Sequence, residues 1–194
     1  MSANAIQLVT LAIEAILNAA LQAAYPGGNA KAFIGPLDDD AAANSPLVLF
    51  LFRTVPSQTM RNTEHRVYGA AGQAELVHQN ALALDLHYML TVGPRAQAGE
   101  AESLRVLGFA LQALNDAPLL AGSQVGGQTA RLSLDPLGLD EMSRVWALFP
   151  AINYRTSVLY LASPVWIDPA VAPQQVPAVT GQQLRAGPQL AAPQ

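Results

Sequence analysis

No cysteine occurs in the 194 residues, which removes disulfides, thiolate nucleophiles and zinc–thiolate clusters and leaves the redox compartment unmarked. Lysine is nearly absent as well. Lys31 is the single one, and ten basic residues stand against fourteen acidic ones, for a net charge of −4. Non-specific hold on phosphate backbones comes from clustered cations, so nucleic acid is not an expected partner. Charge of either sign is scarce, at 12% of residues against the ~25% usual in soluble domains. Much of the surface is therefore expected to be covered by other protein subunits. Uninterrupted apolar runs of membrane length are missing too. The stretch Ala5–Ala24 is broken by Gln7, Glu14 and Asn18, and no Lys or Arg precedes it, so it reads as a core helix rather than a secretory signal or a membrane span.

What the chain has is apolar material: 51% of its residues are hydrophobic, in a length that suits one domain with its own core. Ile6, Val9, Ile13, Ile16, Leu17 and Leu21 recur at helical spacing, with Asn4 and Gln7 as a variant capping box. "YPGGN" ends that helix at Pro26 and its paired glycines. The run Pro46 to Val55, bounded by prolines, suits a strand buried on both faces. Pro56 to Gln79 has no clear period and reads as an excursion or a hairpin.

"NALALDLHYMLTVG" alternates strictly, with Leu82, Leu84, Leu86, Tyr88, Leu90 and Val92 on one face and Asp85 and His87 on the other. The second face is expected to meet water or another protein. A helix with a stripe of Leu104, Leu107, Leu111 and Leu114 follows and stops at Pro118. Leu132 and Leu134 mark a strand that Asp135-Pro136 breaks. A helix starting near Gly138 comes next, with Glu141 reaching back to it and Leu137 and Met142 as a hydrophobic staple. The last strand is expected through "AINYRTSVLYLASPVWID". The class is α+β: one domain over residues 1–168, a mixed or antiparallel sheet of about four main strands with helices on one face. Residues 169–194, with five prolines and one charge, form an extended or disordered tail.

A search for chemistry finds no assembled catalytic set and no cofactor motif. His65, His78 and His87 lack any metal-ligand spacing, so no metal site is expected. Asp85 and His87 share a strand face about 7 Å apart, which permits an acid/base pair but is better read as two polar residues on a solvated face. "GSQVGGQT" lacks the lysine of a phosphate loop and precedes a strand, so it reads as a turn. Asp38, Asp39 and Asp40 read as a solvated loop. Trp146 is expected in the core, and Trp166 is expected to anchor a partner or the chain's own edge.

Four segments, "SPLVLFLFRTVPSQTMRN", "ALALDLHYMLTVG", "AESLRVLGFALQALNDAPLL" and "RLSLDPLGLDEMSRVWALFPAINYRTSVLYLASPVWID", together resemble the cap or tail-terminator family of extracellular contractile injection systems. These are the systems of the antifeeding-prophage and virulence-cassette type. The likeness is most specific from Leu132 to Tyr160, where Gly138 replaces the family's usual serine; glycine remains an acceptable N-cap. The resemblance implies a structural protein and no enzyme: a hexameric ring that binds the last tube and sheath subunits and stops their growth. It further implies assembly in the cytoplasm and incorporation into an extracellular particle; the charge balance and the interrupted apolar run, not the resemblance, argue against contact with nucleic acid or membrane. A phage or type-six-like connector is the related alternative, and a ligand binder or enzyme using the Asp85/His87 face the unrelated one. Face geometry, not the resemblance, nominates Asp85, His87, Arg131, Arg155, Trp166 and Ile167 as contact residues.

Overall fold

The computed structural model describes residues 2–67, 75–93 and 99–176. In chain order its elements are α1 (Ala5–Ala24), β1 (Phe33–Ile34), β2 (Leu47–Pro56), β3 (His65–Val67), β4 (Glu75–His78), β5 (Leu82–Val92), α2 (Glu100–Asp116), β6 (Leu119–Ala121), β7 (Thr129–Leu134), α3 (Leu139–Trp146), β8 (Ser157–Ile167) and β9 (Gln174–Val176). Six strands form one sheet in the order β1-β2-β5-β8-β7-β6, antiparallel except for the β1–β2 pair. A second, antiparallel sheet has the order β3-β4-β9. This is the α+β class expected, with a mixed main sheet.

Strict alternation in β5 divides the sheet into two faces. Leu86, Tyr88 and Leu90 point to one side, where Val9, Ile13, Leu17 and Leu21 of α1 and Val106, Ala110 and Leu114 of α2 complete a core. By length and hydropathy α1 could cross a membrane, and here its apolar stripe is spent on this core. Thr10 and Tyr88 bring polar groups into it. Thr10 Oγ1 donates to Ile6 O at 2.7 Å and lies 2.8 Å from the Tyr88 hydroxyl, so neither is left unpaired.

The opposite face was expected to meet water or a partner. Instead Val48, Met89 and Leu159 on that face are covered by Leu37, Val145, Trp146 and Phe149, a second core built on α3 and the loop before β2. The two long helices thus lie on one face, and the short α3 lies on the other. Alternation in a strand cannot foresee this, because Met89 is apolar on the face that Asp85 and His87 mark as polar.

Helix starts depart from the expected capping. Asn4 sits at the end of a 3₁₀ turn, Ser2–Asn4, with φ −92° and ψ 8°, and its side chain caps nothing; an N-cap needs extended backbone. Gly138 does have that conformation, at φ −66° and ψ 161°, and its N–H donates to Glu141 Oε2 at 3.4 Å. Leu137 and Met142 both pack on the second core, as a staple should. Arg105, held by Glu102, donates from Nη2 to Ala24 O at 3.0 Å and so ties α2 to the last turn of α1. Its hydrogen bond to Glu102 lowers that carboxyl and raises the guanidinium.

The last strand begins later than expected, at Ser157. Tyr154 lies outside the strand and packs its ring tilted against Trp146, with ring centres 5.2 Å apart. "GSQVGGQT" is a turn, with Gly122, Gly126 and Gly127 all at positive φ. Of the segment after Asp168, Gln174–Val176 pair with β4; residues 177–194 lie outside the described residues.

Candidate interaction surfaces

The structure separates the six nominated residues. Asp85 sits where β8 shifts register between Leu84 and Leu86, and it accepts a hydrogen bond from Ser163 Oγ. His87 Nδ1 donates to Asp135 Oδ2 at 2.6 Å, both side chains being only 13% exposed. The two therefore have different partners and form no acid/base pair with one another. Asp135 belongs to the break after β7, so the His87 bond fastens the start of the α3 segment to the centre of the sheet.

Trp166 is buried. Its ring stacks on His65 at 4.7 Å and 6°, and its backbone N–H donates to Gln128 Oε1, so it anchors the chain's own second sheet. Ile167 is half-buried against the first core and pairs with Leu82. Arg155 lies 3.6 Å from Glu100 Oε2 and lines a cavity of about 270 Å³ with Asp38, Asp39 and Asp40. The acidic triplet is thus placed beside a cation. Arg131 is exposed on β7 and is the nominated residue most open to a partner.

Arg131 opens onto a cleft of about 460 Å³ between the end of α2 and β7, whose wall includes Leu111, Pro118, Leu134, Val158 and Tyr160. β6, the edge strand beside it, is three residues long and exposes Leu119. Short edge strands resist uncontrolled pairing yet still offer main-chain donors and acceptors to a specific partner. Apolar side chains cluster along the chain from here on: Leu134 is 63% exposed, Leu139 79%, Leu148 60% and Tyr154 61%. Large exposed apolar groups rimmed by polar ones are characteristic of contact surfaces. The sequence held this signal in the leucines of "RLSLDPLGLDEMSRVWALF", which look internal when read as strand and helix.

A second group was missed altogether. His65, His78 and Asp168, from β3, β4 and the end of β8, place their ligand atoms within 4.8 Å of one another. Spacing in the sequence could not reveal it, since 103 positions separate His65 from Asp168.

None of the curated protein sequences matches the chain. Solved structures that share its fold include two components of contractile particles. One is the sheath/tube terminator, in the extended state, of an extracellular contractile injection system (PVC), with a TM-score of 0.60 and 18% identity over 96% of this chain and 65% of that one. The other is the tube-terminating cap of the anti-feeding prophage, with a TM-score of 0.56 and 17% identity over 90% of this chain and 60% of that one. The chain spans less than two thirds of either protein's length. The family model described as the Pvc16 N-terminal domain matches residues 8–181, which covers both sheets and all but the first turn of α1, and the chain belongs to that family.

Proposed function

We propose that this protein terminates the tail of a contractile injection particle, closing the tube and sheath at the end where they stop growing. The observation that carries the reading is the fold it shares, over nearly all of this chain, with two terminators of such particles. Six copies close into a ring through heterologous contacts, one surface of each meeting a different surface of the next. The β6 edge, the cleft beside it and the exposed Leu134–Leu148 stretch are the surfaces available for that closure and for the filament end. A ring that covers the last layer and offers no further docking site stops polymerisation. No substrate is transformed, and the residues nominated for acid/base work are bound to other partners. Assembly takes place in the cytoplasm, before the particle leaves the cell.

The low charge fraction supports burial among neighbours, as does the survival of apolar groups on the outside of a chain with two complete cores. Part of the segment after Asp168 is already used within the subunit, through β9. Strand addition to a neighbour is therefore assigned to the β6 edge. Electron microscopy of the purified chain, alone and mixed with capless tails, tests the proposal. Rings of six at one tail end are expected; monomers that ignore the tails would refute it.

A further inference from the structure

We propose that His65, His78 and Asp168 form a binding site for a zinc-class divalent cation that staples the second sheet to the end of β8. The inference is independent of the terminator reading. It starts from register: His65 and His78 are directly opposed across the β3–β4 pair, which brings their side chains together on one face of the hairpin. Their rings stack at 5.5 Å and 25°. Asp168 reaches the pair from the residue after β8, where the chain leaves the main sheet for β9. Both Nδ1 atoms approach the same oxygen: His65 Nδ1 hydrogen-bonds Asp168 Oδ1, and His78 Nδ1 stands 4.0 Å from it.

The second of these contacts carries the proposal. A separation of 4.0 Å is too long for a hydrogen bond, and His78 Nδ1 is buried with no hydrogen-bond partner among the described residues. A buried ring nitrogen left unpaired is destabilising. A cation on the lone pairs of both imidazoles and the carboxylate satisfies it. Two nitrogens and one oxygen suit zinc and its neighbours, whose bonds to these ligands are about 2.0–2.2 Å. Ligand atoms within 4.8 Å of one another need move by only about an ångström to reach such bonds around one ion. The His65 Nδ1 proton passes to Nε2 of the same neutral ring, so the tautomer changes without release of a proton.

Support around the ligands is already in place. Trp166 and His78 both stack on His65 and restrict its plane, which is how surrounding groups orient a ligating imidazole. A cavity of about 290 Å³, lined also by Leu8, Gly126 and Gln128, gives the ion an entry and leaves room for water at its remaining position. Bound there, the ion joins β3, β4 and the exit of β8.

The test uses the full chain stripped of metal and titrated with zinc chloride alone. Equilibrium dialysis should find one zinc per chain, and Tm should rise with zinc concentration. In ¹⁵N-histidine spectra His65 and His78 should shift on binding while His87, held by Asp135, stays in place. His78→Asn should lose the bound ion and the Tm response. Should that variant fail to fold, the wild-type spectra decide alone. The proposal is overturned by absence of saturable binding, by binding that moves His87 and spares the other two, or by a folded His78→Asn chain that keeps its equivalent of zinc.

Discussion

The Tyr88 hydroxyl and Thr10 Oγ1 meet at 2.8 Å in the centre of the first core, joining β5 to α1 across 78 positions of sequence. Burial pushes the Tyr88 phenol up to about 12, the Thr10 bond acting in the opposite direction. A tyrosine in the unfolded chain ionises near 10. Its raised folded value therefore contributes stability that is complete below about pH 10 and is lost as pH rises towards 12. Two units correspond to roughly 3 kcal/mol. Tyr160, raised by burial, adds to the loss in the same direction. Urea unfolding from pH 8 to pH 12 should show this fall, and Tyr88→Phe should flatten it.

The same pair separates two substitutions at neutral pH. Tyr88→Phe leaves Thr10 Oγ1 donating to Ile6 O, so it should cost about 0.5–1.5 kcal/mol. Thr10→Val buries the Tyr88 hydroxyl with its partner removed and should cost more, about 1–3 kcal/mol. Chemical unfolding of both variants measures the order.

Gly93 and Gly108 should respond to alanine with opposite signs. A Cβ at Gly93, where β5 ends, would stand 1.8 Å from Ser45 O, and the backbone there must move; a loss of at least about 1–3 kcal/mol is expected. At Gly108, inside α2, a Cβ meets nothing within 4 Å, and alanine should stabilise by about 0.5–1 kcal/mol. Thermal unfolding of each variant tests the pair.

Asp135→Asn should destabilise the chain by about 1–3 kcal/mol by weakening the part-buried bond to His87, and should leave tail capping intact wherever the protein remains folded. Loss of capping in a variant of normal Tm would instead make His87 and Asp135 contact residues.

Leu134→Asp together with Leu148→Asp should change stability by less than about 0.5 kcal/mol each, since both side chains stand mostly in water. Ring formation or tail binding should nevertheless be lost. Sedimentation of the purified double variant and its recovery with tails read the two effects separately.

Legibility in the sequence followed the range of the interactions. The stripe of Val9, Ile13, Leu17 and Leu21 and the alternation from Leu82 to Val92 are local patterns, and α1 and β5 lie where those patterns place them. The α3 helix was equally legible, but its docking on Met89 was not, because helical periodicity says which residues are buried and not against what. Tyr154 continues the alternation of β8 in the sequence yet lies before the strand begins, with its ring against Trp146. Trp166 was open to two readings, and within the chain its ring stacks on His65, a contact that strand register makes and sequence spacing does not show. The small sheet was the least visible, for His65, His78 and Asp168 carry no local signal and meet only through strand register.

If this chain ends a growing filament, as proposed, its removal must change the length distribution of the assembled particles. Tubes and sheaths of uneven and excessive length are expected, restored to one length when the chain is added back. Particles of normal length and normal stability in its absence would contradict the proposal.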